Sequence, residues 1–470
     1  MKEFHKKTNL WLFLIISLGA LLRIYKINSP ILDLYPVRQE QCAMIARNFA
    51  RDGLNILNGR VDWYGNLNPR WILEFPLISY LSAFFYKIFG IHEFIGRLIA
   101  IFFALGSIII FYLLVNDLFK KKTAVLATFI FTVLPLNIYF SRVFMPEPLM
   151  MFFNLLLIWS FNRYLDNDKG FYYAIAILAG ALSFLIKLPS VFLLPLLAFL
   201  AYLKLQWKMF LKISLWIFLA LVLLPALAWY SISNLKAIEL LTCTKPLLSI
   251  LRNPHFYIRM LESFVIFIFT PLGIFPFVAG FLSANENRKQ AVFHVWFLVL
   301  FLYVVISPER HYIHYYYQLP FAPVVSVFIA KGLLIFEDQN YHKTTILKKI
   351  NPRAIIAAIL ILFLVCSWLS IQPFYKYNQS VYEAGLKIKQ LTPPGSLIIA
   401  GRCTQQAPLY YSDRKGWEIN ESGKLSNTMF LKNALEFKDE ISLLRGLINQ
   451  GADYYLSCDL QSFYSSPNIV

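Results

Sequence analysis

The chain has 470 residues, of which 58% are hydrophobic and 17% aromatic against only 15% charged, and its mean hydropathy is +0.57. That composition excludes a soluble enzyme and points to a membrane protein. The formal net charge of +18 speaks for membrane topology and anionic lipid; no basic-aromatic motif argues for a nucleic-acid partner.

The first apolar run, Leu10 to Leu22, follows the basic MKEFHKK. No small-residue cleavage site comes after it, so it reads as a retained first span. A long loop follows, from about Asn28 to Gly90. Its segment PVRQEQCAMIARNFARDG, Pro36 to Gly53, is predicted to be a helix, because Pro36 suits a first-turn position and no breaker intervenes before Gly53. At helical spacing Glu40, Met44, Arg47 and Arg51 share a face. Glu40 and Arg47 lie two turns apart, about 10 Å of rise, and are not expected to pair directly. Arg38, Gln39, Glu40, Gln41 and Arg47 are costly beside a bilayer, and such groups mark a pathway or a site. The competing reading is an exposed interfacial helix with solvated charges. The later segment EFPLISYLSAFFYKIFG suits a second helix lying in the interface, with Glu74 favouring its N-terminus.

Further apolar runs occupy roughly 95–117, 123–139, 144–161, 171–187, 189–203, 213–230, 262–282, 291–306, 315–335 and 354–372. With the first, that predicts about eleven spans. If the N-terminus is cytoplasmic, the basic loops fall on one side: Lys120–Lys122, Arg163 and Lys169, Lys204, Lys208 and Lys212, Arg288 and Lys289, and Lys331 to Arg353. The exterior side then carries three more polar clusters. NIYFSRVFMPEPLMMFF holds Arg142 and Glu147, with Pro146 and Pro148 marking a helix start. Lys187 in FLIKLPS ends one span, and PERHYIHYYYQLP holds Arg310, His311 and His314. A bidentate Arg or a Lys point charge at the membrane surface suits a phosphate; the alternative for each is snorkelling. Glu309, His311 and His314 do not have a recognised zinc spacing.

An odd span number puts the tail outside. It reads as a helix at Tyr382–Leu391, a turn at Pro393–Gly395, a strand at Ser396–Ala400, a helix at Leu435–Asn449 and a strand at Asp453–Ser457, a small α/β domain. The expected division is a membrane domain over 1–375 and an exterior domain over 376–470. No dinucleotide fingerprint or P-loop occurs in it. Of the five cysteines, Cys42, Cys243, Cys403 and Cys458 would face outside and Cys366 lies in a span; Cys403–Cys458 is a candidate bridge, and none has a metal-binding spacing.

These segments resemble the GT-C membrane glycosyltransferases that use polyprenyl-phosphate sugars, nearest to the protein O-mannosyltransferase and lipid A aminoarabinose-transferase superfamily. The resemblance rests on RQEQCAMIARNF followed by EFPL and FGIHEFIGRL, on FSRVFMPEPLMMFF with Glu147 at the family's second acidic position, on HYYYQLPFAP, and on LYYSDRKGW in the tail. It implies a multi-pass plasma (inner) membrane enzyme with a GT-C fold. Such an enzyme moves a hexosyl or pentosyl group from a polyprenyl-phosphate donor to a hydroxyl of a glycolipid, protein or glycan on the exterior face. A carboxylate would act as general base and cations would stabilise the leaving phosphate. By this resemblance Glu40 and Glu147 are the catalytic carboxylates. Arg142, Lys187, Arg310 and His314 hold the donor phosphate, and Arg38, Gln41, Arg47 and Glu74 support the acceptor side. The first-loop motif of the family carries an aspartate where Gln41 stands here, with Glu40 beside it. The base is therefore Glu40, or else Glu147 or Glu74 takes more of the work. No cofactor is required, although some relatives place a divalent cation at the phosphate. The competing readings are a lipid-linked-sugar flippase or transporter, and a catalytically altered homologue that binds the same ligands.

Overall fold

The structure is a computed structural model and describes residues 2–67, 74–232, 247–337, 351–401, 407–420, 423–426 and 439–457. In chain order its first helices are α1 (Lys2–Ile24), α2 (Pro36–Asp52), α3 (Leu77–Phe89), α4 (Glu93–Leu118), α5 (Lys121–Val133), α6 (Pro135–Phe140), α7 (Glu147–Asn167) and α8 (Gly170–Ile186). Next come α9 (Leu194–Leu205), α10 (Ile213–Ile232), α11 (Leu247–Leu251), α12 (Pro254–Ser263), α13 (Ile274–Leu282), α14 (Val292–Ile306), α15 (Pro308–Ile313), α16 (Phe321–Ile335) and α17 (Pro352–Ile371). The tail adds α18 (Gln379–Leu391), β1 (Leu397–Gly401), α19 (Ala407–Ser412), β2 (Lys415–Ile419), α20 (Glu440–Asn449) and β3 (Tyr454–Ser457).

Contacts divide the chain into two compact units. The first comprises Met1–Ile27, Leu73–Phe75 and Ala100–Pro373; the second comprises Asn28–Ile72, Pro76–Ile99 and Phe374–Val470.

The first unit is a helical bundle. Among the described residues five helical stretches are long and apolar enough to cross a membrane: Glu93–Leu118, Leu188–Leu211, Ile213–Ile232, Arg288–Ile306 and Pro352–Tyr375. A sixth is obtained by counting as one the pair Pro254–Phe269 and Pro271–Leu282, which bends by 80°. The bend falls where Thr270 takes a left-handed φ of 56° and Pro271 withholds an N–H from the helix. Other expected spans are shorter or interrupted. The 123–139 run breaks at Leu134–Pro135 into α5 and α6, and the 144–161 run becomes helical only at Glu147, where Pro146 and Pro148 bracket the first turn. Asn9–Ile24, Gly170–Ile186 and Phe321–Ile335 are shorter apolar helices.

Two devices hold this bundle. Fully buried Arg23 of α1 donates to Ser141 Oγ at 2.5 Å and to the carbonyls of Gly19, Asn137 and Thr132 at 3.0, 3.1 and 3.3 Å, so its charge is satisfied by the ends of α5 and α6. Helices α13 and α16 cross at Gly280 and Gly332. A Cβ at either glycine would come within 1.8 Å of a backbone oxygen, that of Phe328 or of Pro276. Small residues at such a crossing let two backbones pack where apolar burial against lipid supplies no drive.

The second unit holds a three-stranded parallel sheet in the order β2–β1–β3. Its core is Leu397, Ile399, Trp417, Ile419, Leu443 and Leu447. The expected helix at 382–391 and strands near 396–400 and 453–457 are present, as is the last helix over 440–449 with Asp439 as its N-cap; residues 435–438, Cys403 and Cys458 lie outside the described residues. The short helix α19 and strand β2 were not anticipated. Lys415–Ile419 is a parallel strand only because β1 pairs along its whole length. The first loop joins this sheet directly. Gly65 N–H donates to Gly416 O at 2.7 Å and Gly416 N–H to Asp62 O at 2.9 Å. Gly65 sits at φ +58°, and a Cβ there would lie 2.0 Å from the Trp417 ring, so only glycine fits this approach.

Candidate active site

The sequence-predicted polar residues fall into two groups, one in each unit. In the second unit, α2 is not an exposed helix with solvated charges. Gln39, Glu40, Gln41, Arg47 and Asn48 are all buried, Glu40 completely. Burial of that many polar groups follows from what surrounds them within the unit. Arg47 donates to Asp62 Oδ2 at 2.6 Å and to Tyr410 O at 2.7 Å, lies 3.2 Å from Asp413, and stacks 4.7 Å from the Tyr410 ring. Burial by itself would lower the Arg47 pKa. Asp62 first, then Tyr410 and Asp413, outweigh it and raise it, so the guanidinium stays charged. Asn48 also donates to Asp62, at 3.0 Å. Arg38 donates to Gln41 Oε1 at 3.1 Å. Arg47 does not pair with Glu40, as the two-turn separation required. Asp413 grips Arg51 through two 2.7 Å bonds. Against the upward push of burial, those bonds and the charges of Arg47 and Arg51 bring its carboxyl down to about 2.

In the first unit, Glu74, Glu147 and Lys187 meet. Helix α8 ends at Ile186: Lys187 is extended at φ −146° and ψ 106°, and a 3-10 helix opens at Leu188 with Pro189 in its first turn. The Lys187 side chain is buried, 2.6 Å from Glu147 Oε1 and 3.3 Å from Glu74 Oε1. Glu147 is fully buried in the first turn of α7, where the helix dipole also favours its charge. Glu74 is brought in by its neighbour Phe75, whose N–H donates to Leu185 O at 3.4 Å and whose ring meets Trp229 edge-on at 4.9 Å. The ammonium of Lys187 lies 4.8 and 5.0 Å from the Tyr316 and Tyr317 rings. Two carboxylates and two aromatic faces thus share one buried cation.

Beside this cluster is a cavity of about 30 Å³ with Glu147, Lys187, Ser190, Tyr303, Tyr316 and Tyr317 in its wall, room for about one water. His314 stacks on Tyr316 at 4.9 Å and on Tyr317 at 6.1 Å, which joins it to the same wall. His311, 1% exposed, meets Tyr303 edge-on at 4.6 Å and Tyr317 at 6.0 Å. Burial lowers its pKa to about 3, so the ring is neutral. Arg142 is fully buried and donates to Lys26 O at 3.0 Å. Arg310 lies in α15, in the loop that carries His311 and His314.

The sequence reading missed Tyr303, Tyr316 and Tyr317 in the first unit and Asp62, Tyr410 and Asp413 in the second. The tyrosine run was visible as HYYYQLP, but which rings face Lys187 depends on the turn at Tyr315–Gln318. Among the described residues no group of three or more His, Cys, Asp or Glu is arranged for a metal ion, and Lys187 occupies the space between Glu74 and Glu147. The described residues do not fit a divalent cation there.

Residues 73–231 match the sequence model of the dolichyl-phosphate-mannose-protein mannosyltransferases. An uncharacterized protein of Aquifex aeolicus is 24% identical over 287 residues, which cover 57% of this chain and 61% of that one; the chain thus spans less than two thirds of this relative's length. Among solved structures, ArnT from Cupriavidus metallidurans bound to undecaprenyl phosphate superposes with a TM-score of 0.63 at 12% identity, covering 95% of this chain and 89% of ArnT. The Archaeoglobus fulgidus oligosaccharyltransferase in complex with Zn and sulfate gives 0.59 at 15% identity, covering 94% of this chain and 67% of that one. The fold is the GT-C fold shared by these transferases, as the resemblance implied.

Proposed function

We propose that this chain is a multi-pass membrane glycosyltransferase that moves a sugar from a polyprenyl-phosphate donor to an acceptor hydroxyl on the exterior face of the plasma membrane, with its N-terminus cytoplasmic and about eleven membrane segments. The observation that carries the reading is Lys187, a buried ammonium at a helix break, held by Glu74 and Glu147 beside a tyrosine-walled cavity. A buried, fixed cation stabilises charge as it develops on a departing phosphate, without the cost of reorganising solvent. The undecaprenyl phosphate in the ArnT structure and the mannosyltransferase match over 73–231 support a lipid-phosphate donor.

In this reading the acceptor oxygen attacks the anomeric carbon, the bond from that carbon to the phosphate oxygen breaks, and the lipid phosphate leaves with the electron pair. A carboxylate takes the acceptor proton, the role that the resemblance gives to Glu40 of the second unit and Glu147 of the first. Glu147 and Glu74 position Lys187, which with His314, Arg142 and Arg310 meets the phosphate charge. Arg38, Gln41 and Arg47 support the acceptor side, Arg38 through its bond to Gln41 and Arg47 through Asp62 and Tyr410. Gln41 at the family's aspartate position favours a second reading, a homologue that binds the same ligands with altered catalysis.

The test is transfer of sugar by the purified protein from a polyprenyl-phosphate donor, followed on the acceptor by mass spectrometry. Lys187→Gln should lower the rate by about 100-fold or more, the effect of removing one charge-stabilising donor. Donor binding without transfer in the unaltered protein would establish the second reading. Neither binding nor transfer with any polyprenyl-phosphate sugar would overturn both.

A further inference from the structure

We propose that the first unit carries a second ligand site, for an anionic phospholipid headgroup, at the end of the bundle away from Lys187. Helix α16 connects the two places. Pro320, just before it, lines the tyrosine-walled cavity, while Leu334 and Ile335 near its other end line a cavity of about 570 Å³. Fifteen helical residues separate the two by about 22 Å. A volume of this size is in the range that accepts a small ligand.

The chemistry of the wall selects an anion. Lys120, Lys122, Lys331 and Arg353 face Glu286 and Glu337, a formal excess of two positive charges. Lys122 and Arg353 share one carboxylate, that of Glu337. Lys120 pairs with Glu286 at 2.8 Å, but both side chains are more than half exposed, so that pair is readily exchanged. Lys331 donates to a neutral partner, Asn285 Oδ1, at 3.1 Å. A phosphodiester would complete this set.

The surroundings select an amphiphile. Leu282, immediately before the cavity residue Ser283, is 76% exposed, and Phe275 on the same helix α13 is 82% exposed. Ile361 and Leu369, each 63% exposed, continue an apolar surface along α17, which carries Arg353 in its first turn. Acyl chains lie against these faces while the headgroup fills the cavity. This end carries Lys120, Lys122, Lys331 and Arg353, among the residues that the basic-loop pattern assigns to the cytoplasm, where anionic lipid is attracted by near-surface basic charge.

The experiment is native mass spectrometry of the full chain in detergent, titrated with phosphatidylglycerol or phosphatidylcholine. One phosphatidylglycerol should be retained preferentially, and Lys120→Gln with Lys331→Gln should weaken its retention by about thirtyfold, the weight of two near-surface basic charges. Glu286→Gln, which removes an opposing charge, should strengthen it, and this variant carries the test if the double one fails to fold. Equal retention of the two lipids, or retention unchanged in the variants, overturns the proposal. Displacement by inorganic phosphate would assign the cavity to a free anion and overturn the lipid.

Discussion

Lys187 Nζ stands 2.6 Å from Glu147 Oε1 although 39 residues separate them in sequence and both side chains are buried. The pair closes the break after α8 against the first turn of α7. Removing one partner of a buried pair leaves the other charge uncompensated, at a cost of about 3–5 kcal/mol, whereas removing both is far less costly. Glu147→Gln and Lys187→Met should therefore each lower the thermal unfolding midpoint in detergent. The double variant should recover much of the loss, yet stay defective in transfer. Additive losses in the double variant would show that the pair is not coupled.

Glu40→Gln preserves size and hydrogen-bonding capacity on the buried face of α2 while removing the proton acceptor. The expected outcome is a normally folded protein whose transfer rate falls by about 100-fold to 10,000-fold, the range for loss of a general base. Wild-type rates in both Glu40→Gln and Glu147→Gln would sink the carboxylate assignment.

His311 gives a pH dependence with a definite sign. Its pKa is lowered to about 3 by burial against about 6.5 for an ordinary histidine. Between those values the unfolded chain binds a proton that the folded one does not, so stability rises with pH. It is complete above about pH 6.5 and falls by about 1.4 kcal/mol per pH unit as the medium is acidified towards pH 3. His311→Phe should flatten this slope in detergent unfolding curves; an unchanged slope would assign it to other groups.

Asp413 acts in the same direction at lower pH. Its carboxyl is held at about 2 by Arg51 and Arg47, below the usual 3.9 of an unfolded aspartate. The stabilisation is complete above about pH 4 and is lost as pH falls through about 2. Asp413→Asn should abolish it and loosen Arg47, seen as faster hydrogen exchange in α2 and α19. Unchanged exchange in both helices would contradict the network.

Gly280→Ala and Gly332→Ala test the α13–α16 crossing. The added methyl meets backbone oxygen at 1.8 Å in each case, and backbone cannot move aside as a flexible side chain can. Each should cost about 1–3 kcal/mol or more, read as a lower unfolding midpoint. Gly53→Ala, with no atom within 4 Å of its Cβ position, controls for methyl addition; its φ of +117° sets the strain of a left-handed position apart from a clash.

Local chemistry made part of this protein readable. The apolar composition, the proline-bounded starts of α2 and α7, the end of α8 before Lys187 and most of the tail's helices and strands follow from rules acting within a few residues. Strand β2 was not readable, because Lys415–Ile419 has a mixed pattern and becomes a strand through pairing with β1. Continuous span lengths were overestimated at 123–139 and 262–282, where hydropathy averaged across breaks at Pro135 and Pro271.

The sequence by itself determined that Glu40, Glu74, Glu147 and Lys187 are unusual in so apolar a chain, because a charge among lipid-sized apolar runs is costly wherever the chain folds. Only the tertiary structure decided what each charge does. It brought Glu74 and Glu147 to the one ammonium of Lys187, turned Tyr316 and Tyr317 onto that cation, and engaged Arg47 with Asp62 and Tyr410. The physical reason is range: apolar and proline patterns act along the chain, whereas a buried charge is satisfied by whichever partner the fold brings within about 3 Å.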